Sequence, residues 1–333
     1  MLNSWTSTLF LLSASSIARD ITFPPVSPLQ ANLGSHAGQY RASVASGQDP
    51  LAESSKYSGL TTFANLPWLH CLSPDDNVDK YDIAFLGAPF DTGTSARPGA
   101  RFGPTGIRWG SRRIQAAAGW DAYTHENTFL SWARIVDCGD APLTFLDNTA
   151  ALQQLEKAHR VVSGRTANAT EVAEVPRIIT LGGDHTTTLA ALRSTISHWG
   201  PVSVIHFDSH IDTWDITARD IDKIGVAGII DKLKARVGDT NVYISVDIDV
   251  LDPAYAPATG TAEVGGWTTR ELLSILDGLE GVKVIGADVV EVAPIYDNPG
   301  ETTGLAAAEV AHRLMNLMVE TPVKPLRKED GRT

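Results

Sequence analysis

Six short apolar runs, rich in Val and Ile and separated by stretches of helical periodicity, dictate what this chain can fold into. The runs lie at Tyr81–Leu86, Ala133–Asp137, Arg177–Leu181, Val202–Phe207, Val242–Val246 and Val282–Ala287. Helical patterns come between and after them, near Gly103–Arg113, Thr149–Val162, Thr186–His198, Val226–Val237, Thr268–Leu279 and Gly304–Val319. Short β-branched runs read as strands buried on both faces, and apolar residues spaced three and four apart read as amphipathic helix. Strand and helix in alternation need crossover connections, so the expected fold is α/β, a three-layer parallel sheet with helices on both faces. A chain of 333 residues is long enough for one such domain.

Three of the runs end in groups that carry chemistry. Gly182-Gly183-Asp184-His185 follows the third, Asp208-Ser209-His210-Ile211-Asp212 the fourth, and Asp247-Ile248-Asp249 the fifth. In an open parallel sheet the carboxyl ends of neighbouring strands converge on one crevice, so residues far apart in sequence meet there. A single Asp at a strand end is more often a cap or turn residue, and a single buried His is usually just hydrogen-bonded. The grouping argues for more. Side chains two apart on a strand point the same way, which aligns Asp208, His210 and Asp212 and, separately, Asp247 and Asp249. The candidate metal ligands are therefore His185, Asp208, His210, Asp212, Asp247 and Asp249. Four carboxylates and two imidazoles call for two divalent cations, because one would leave several negative charges unpaired. Mn²⁺ suits this mixed oxygen and nitrogen set best. Zn²⁺ is the alternative, although the thiolates that structural zinc favours are not nearby.

Longer motifs surround these groups. They are Leu86-Gly87-Ala88-Pro89-Phe90-Asp91, Arg97-Pro98-Gly99-Ala100-Arg101-Phe102-Gly103-Pro104, Ser245-Val246-Asp247-Ile248-Asp249 with Asp252-Pro253, Gly260-Thr261 with Gly265-Gly266, and Asp288-Val289-Val290-Glu291. With them the chain resembles the ureohydrolases, the arginase and agmatinase group, from about Tyr81 to Met318. Small departures are Ser209 where Ala is usual, Thr186 where Ser is usual and Ala262 where Pro is common. The resemblance implies an arginase-like fold and two Mn²⁺ per subunit, bridged by Asp208 and Asp247. His185 and Asp212 would complete one ion, His210 and Asp249 the other. It also implies that a hydroxide held between the ions attacks a guanidinium carbon, the tetrahedral intermediate then collapsing to urea and a primary amine. Asp208 and Asp247 are thereby candidate catalytic residues as well as ligands. Glu291 resembles the carboxylate that pairs with the guanidinium, a planar fork suited to it. Taken alone, Glu291 reads as a surface acid after a strand. The N-terminal loop and Gly265-Gly266-Trp267 resemble agmatinases and guanidinobutyrases more than arginases, so agmatine is the first expected substrate. Hydrolases acting on formimino groups are a weaker alternative. The family's habit implies a homo-oligomer, a symmetric trimer or hexamer.

One departure is large. Asp212 and Asp247 stand 35 positions apart, where family members usually carry roughly a hundred. Trp214-Asp215 runs almost directly into Ile216-Thr217-Ala218-Arg219-Asp220, which reads like the strand just before the family's next helix. About 65 to 70 residues have no counterpart, among them a His-Gly motif whose His shuttles protons and a neighbouring strand. The expected sheet therefore lacks one strand, which leaves ladder groups of its neighbours unpaired and an edge open to association. Two functions follow. The chain is either a Mn²⁺ amidinohydrolase that releases urea, or a catalytically silent metal-binding relative or shortened product of an agmatinase gene.

The remaining sequence frames this domain. Residues 1–18 carry the apolar segment Leu9-Phe10-Leu11-Leu12 and small residues ending Ser16-Ile17-Ala18. They read as a signal peptide, which places the protein in the secretory pathway or outside the cell, although no basic residue precedes the apolar segment. Residues 19–60, rich in Ser, Gly, Ala and Pro without periodicity, read as a flexible N-terminal arm, 61–320 as the ureohydrolase domain and 321–333 as a C-terminal tail. Cys71 and Cys138, the only cysteines, either form one disulfide or stay two buried thiols. Asn168-Ala169-Thr170 matches a glycosylation acceptor, a pattern common by chance. A net charge of −12 argues against a nucleic-acid partner and suits a small cationic guanidino substrate. No further membrane span is visible, so no membrane partner is expected.

Overall fold

The computed structural model describes residues 57, 59–75, 77–114, 119–121, 125–210 and 220–324. All of them fall in one unit, Lys56–Thr333. Residues 1–18, nearly all of the 19–60 arm, 325–333 of the tail and the interval 211–219, which holds Asp212, lie outside the described residues.

The apolar runs become six strands: β1 Ile83–Gly87, β2 Ile135–Asp140, β3 Arg177–Leu181, β4 Ser203–Phe207, β5 Asn241–Asp247 and β6 Lys283–Val290. Every pairing is parallel, in the order β2-β1-β3-β6-β5-β4. The helices between and after them are α1 Gly103–Ser111, α2 Asn148–Ser163, α3 Thr187–Trp199, α4 Ile221–Val237, α5 Thr269–Gly278 and α6 Thr302–Glu320. The expected alternation is present throughout. Helix α4 begins earlier than its periodicity suggested, because Gly225 (φ 68°) breaks the helical path and resets the pattern behind it. Helix α5 starts on a capping box in which the Thr268 hydroxyl accepts from the Glu271 N–H and the Glu271 carboxylate accepts from the Thr268 N–H.

Period-two alternation along the strands builds two cores, one on each face of the sheet. Ile83, Phe85, Ile179 and Leu181 join Ile107 of α1, Leu272 of α5 and Leu314 of α6. Ala84, Leu86 and Ile178 join Leu155 and Val162 of α2 and Ala190 of α3. This is the three-layer arrangement that the sequence predicts. Strand β4 stands at the sheet's edge with β5 as its one partner among the described residues, and its Val204 is 47% exposed. An open edge of this kind is what the short interval between Asp212 and Asp247 leads one to expect. Cys71 and Cys138 are bonded, which ties the segment before β1 to β2.

His159 of α2 is buried against the Thr180 hydroxyl, with Nε2 3.3 Å from Oγ1. Burial disfavours its charged form and lowers its pKa from 6.5 to about 4. As pH falls, the unfolded chain takes up this proton first, so stability is whole above 6.5 and is lost as pH drops through about 4. Urea unfolding across that window should show the parent losing up to about 3 kcal/mol more than His159→Gln. Parallel pH profiles for the two proteins would contradict this.

Candidate metal centre and cleft

The site is assembled from the carboxyl ends of β3, β4, β5 and β6, which are neighbours in the sheet although far apart in sequence. After β3 the chain passes through Gly183, where a Cβ would stand 1.8 Å from the Phe90 carbonyl oxygen; only glycine allows the two backbones this close. The Asp184 N–H donates to that same Phe90 oxygen at 2.7 Å, and the Asp184 carboxylate accepts from the Gly93 N–H at 2.9 Å. His185 is thereby delivered to the crevice. Beyond β4 come Asp208, Ser209 and His210. At the end of β5 the Asp247 carboxylate accepts from the Asp249 N–H at 2.9 Å, which opens a single tight turn over Ile248–Val250 and swings Asp249 back toward the site. Glu291 follows β6 in the left-handed region (φ 61°), a conformation that costs a non-glycine residue of order 1 kcal/mol and collects at functional sites. It is held there by its N–H donating to Gly183 O and by its carboxylate accepting from the His185 N–H, both 2.8 Å.

Asp208 is the centre of the cluster. Its Oδ2 lies 3.2 Å from His185 Nδ1 and 3.0 Å from His206 Nε2, and its Oδ1 lies 3.3 Å from His210 Nδ1. Asp247 Oδ2 is 3.1 Å from His185 Nδ1 on one side, and Asp249 Oδ2 is 3.0 Å from His210 Nδ1 on the other. Thr261 Oγ1 donates to Asp249 Oδ2 at 3.1 Å, and the Ser209 N–H donates to Asp249 Oδ1 at 3.1 Å. Two donor groups therefore share Asp208: His185, His206 and Asp208, and Asp208, His210 and Asp249, each with its ligand atoms within 4.8 Å of one another. Five of the six ligands expected from the sequence meet here. The sixth, Asp212, lies outside the described residues. His206 was not expected. Its signal was the same period of two, carried one step back from Asp208.

The electrostatics are those of a cation site. Burial holds the Asp247 carboxyl well above the ordinary range, with Asp249 adding to it, and burial together with Asp208 raises Asp249. Burial pushes Asp208 up as well, but hydrogen bonds from His185, His206 and the His210 N–H outweigh it and hold that carboxyl low. The His185 ring, which burial would lower, is raised to about 11 by Asp208 and Asp247. Protons thus balance the crowded carboxylates, and a metal that takes their place releases them. Carboxylate oxygens and imidazole Nδ1 atoms without a thiolate form the donor set of a hard or borderline divalent cation, so these residues fit a pair of such ions.

Beside the cluster lies a cleft of about 130 Å³ whose walls include Thr94, Arg97, His185, Thr186, Thr261 and Glu291. Burial, with the charges of Asp184 and Asp249 adding to it, raises the Glu291 carboxyl to about 7. Arg97 stands at the rim with its guanidinium 5.6 Å from the centre of the Tyr296 ring. Glu291 and His185 thus line the same cleft, joined by the bond from the His185 N–H to the Glu291 carboxylate.

The model of the arginase family matches residues 81–218 and 215–316. A Schizosaccharomyces pombe protein provisionally named agmatinase 1 is 45% identical over 346 aligned positions, covering 84% of this chain and 87% of the relative. An agmatinase of Photorhabdus laumondii is 34% identical, covering 69% of this chain and 85% of its own. Among solved structures, proclavaminate amidino hydrolase of Streptomyces clavuligerus superposes with a TM-score of 0.71 at 32% identity, covering 80% of this chain and 99% of that one. The 346 aligned positions outnumber the 333 residues of the whole chain, so the yeast relative contains residues without counterpart here. The two family blocks meet at residues 215–218, between Asp212 and Asp247.

Proposed function

The chain belongs to the arginase family, and on that premise we propose that its cleft hydrolyses agmatine to urea and a primary amine with two Mn²⁺ bound. At the coarser level it is a hydrolase of the agmatinase and amidinohydrolase group, acting on C–N bonds of linear amidines. The observation that carries the finer reading is Asp208, whose two oxygens face His185 and His210 on opposite sides while Glu291 lines the adjoining cleft. His185, Asp208, His210, Asp247 and Asp249, with Asp212, would hold the ions. When bound, two divalent cations bring the pKa of water to about 7 and offset charge that develops during attack.

The remaining work falls to the chain's own residues. Glu291, an acid near its midpoint at about 7 in the metal-free site, is kept ionised by a guanidinium and accepts both N–H groups of one edge of the fork. Its strained backbone and its bond from the His185 N–H fix where that fork sits. Net charge of −12 draws cationic guanidines in general, and the likeness of the N-terminal loop and of Gly265-Gly266-Trp267 to agmatinases places agmatine ahead of 4-guanidinobutyrate and arginine. The family's proton-shuttle His has no counterpart in this chain, so urea release should run about 10²- to 10⁴-fold slower than in a relative that has one. The trimer or hexamer, and the secretory address read from residues 1–18, belong to the same proposal.

Urea release by the Mn²⁺-loaded protein from agmatine, 4-guanidinobutyrate and arginine tests this reading. Agmatine should give the highest kcat/KM, and Glu291→Gln should lower it by about 10²-fold or more without loss of metal. No urea from a folded protein carrying two ions would instead favour the silent relative.

A further inference from the structure

Beneath the metal cluster runs a row of polar side chains that the reaction does not use directly. Strand register puts His206 of β4 opposite Ser245 of β5, Ser245 opposite Asp288 of β6, and Asp288 opposite Thr180 of β3. Register partners in a parallel sheet point to the same face, so four strands each contribute one polar group to a single layer. Thr180, Ser245 and Asp288 are each no more than 1% exposed. Tyr243 lies two residues before Ser245 on the same face, its ring packed over Gly286, where a Cβ would come within 2.8 Å of it. Buried polar groups in such a layer need partners, and the pattern of partners fixes the direction of each bond.

The directions can be followed from the far end. Asp288 accepts the Tyr243 hydroxyl at 2.8 Å on Oδ2 and the Ser245 hydroxyl at 2.7 Å on Oδ1. On the same layer, His159 Nε2 stands 3.3 Å from Thr180 Oγ1. With its one proton committed to Asp288, Ser245 Oγ has only lone pairs to offer His185 Nε2, 3.0 Å away. His206 Nε2 also lies 3.1 Å from His185 Nε2, but it has a carboxylate partner in Asp208 Oδ2 at 3.0 Å and serves as donor there. Ser245 is therefore the acceptor for the His185 Nε2–H. A ring that keeps its proton on Nε2 presents the lone pair of Nδ1, the atom that faces Asp208 and Asp247.

We propose that Tyr243, Asp288 and Ser245 form a positioning relay that fixes the tautomer and orientation of His185 for cation binding. The proposal rests on the reading of His185 as a metal ligand. The relay acts through His185 and does not touch substrate. It explains why a carboxylate and two hydroxyls are kept in the sheet layer below the site, where apolar residues would pack without any demand for partners.

The test is a chelator-competition titration of Mn²⁺ on the full chain, with the thermal midpoint of the metal-free protein recorded for each variant. Ser245→Ala should weaken the ion on the His185 side by about 10- to 100-fold, whereas Ser245→Thr, which keeps the hydroxyl, should hold affinity to within a few-fold of the parent. Tyr243→Phe removes one of the two donors to Asp288 while keeping the ring, and should weaken binding by a smaller factor, about 3- to 10-fold. It serves as the decisive variant if Ser245→Ala does not fold. Parent-like Mn²⁺ affinity in folded Ser245→Ala, or in Tyr243→Phe, would overturn the relay, as would a loss in Ser245→Thr equal to that in Ser245→Ala. If the parent itself binds no Mn²⁺, the metal-centre reading fails and the relay with it.

Discussion

Asp208→Ala should release both cations and reduce urea formation from agmatine by more than about 10³-fold, because Lewis-acid activation of water is worth several kcal/mol at about 1.4 kcal/mol per decade. The expectation comes from the position of Asp208 between two imidazoles, its Oδ2 toward His185 and its Oδ1 toward His210. No other described carboxylate belongs to both donor groups. Asp249→Ala should behave differently. It removes one partner of His210 and leaves the His185 side intact, so one ion should survive with reduced activity. Metal analysis of the two purified variants, alongside their urea rates, separates the cases. Two retained ions in Asp208→Ala would show that this carboxylate is not shared.

The second large effect is on folding. Arg177→Met should lower the thermal midpoint by roughly 10 °C, from a loss of about 3 to 5 kcal/mol. Arg177 is fully buried at the start of β3 and donates to Val284 O at 2.9 Å, to Thr321 O at 3.1 Å and to Met318 O. Two of these carbonyls belong to the end of α6, where backbone acceptors have no intrahelical donor and a cation is favoured by the helix dipole. Methionine fills a similar volume but strands all three acceptors, and leaves the buried Asp82 without the positive charge that faces it. Such a loss is large against the 5 to 15 kcal/mol typical of a folded domain. A midpoint within a degree or two of the parent would mean that water or a rearranged α6 terminus satisfies these groups.

What the sequence revealed, and what it did not, follows from which interactions are local. All six strands were legible because each is an apolar run buried on both faces, and the helices because their periodicity is long. The start of α4 was missed where Gly225 interrupts the periodic pattern. The ligands after β3, β4 and β5 were legible because strand ends carry them in tight groups with a spacing of two. His206 obeys the same spacing but lies inside an apolar run, so it passed as part of the strand. The layer of Thr180, Ser245 and Asp288 could not be read at all, since it depends on β6 pairing with both β3 and β5, a register between segments more than a hundred residues apart in the case of β3 and β6. Glu291 could be singled out only through family resemblance; its left-handed backbone and its bond to the His185 N–H are properties of the folded chain. The bond between Cys71 and Cys138 was likewise undecidable from two cysteines alone, because the pairing needs the segment before β1 to lie against β2.

Equilibrium dialysis of the metal-free protein against Mn²⁺, with the ions bound per chain counted at saturation, decides whether the strand ends form a binuclear centre. Two are expected, one on the His185 side and one on the His210 side of Asp208. One ion or none per folded chain would contradict this, and would mean that the short interval after His210 leaves the strand ends unable to complete a binuclear centre.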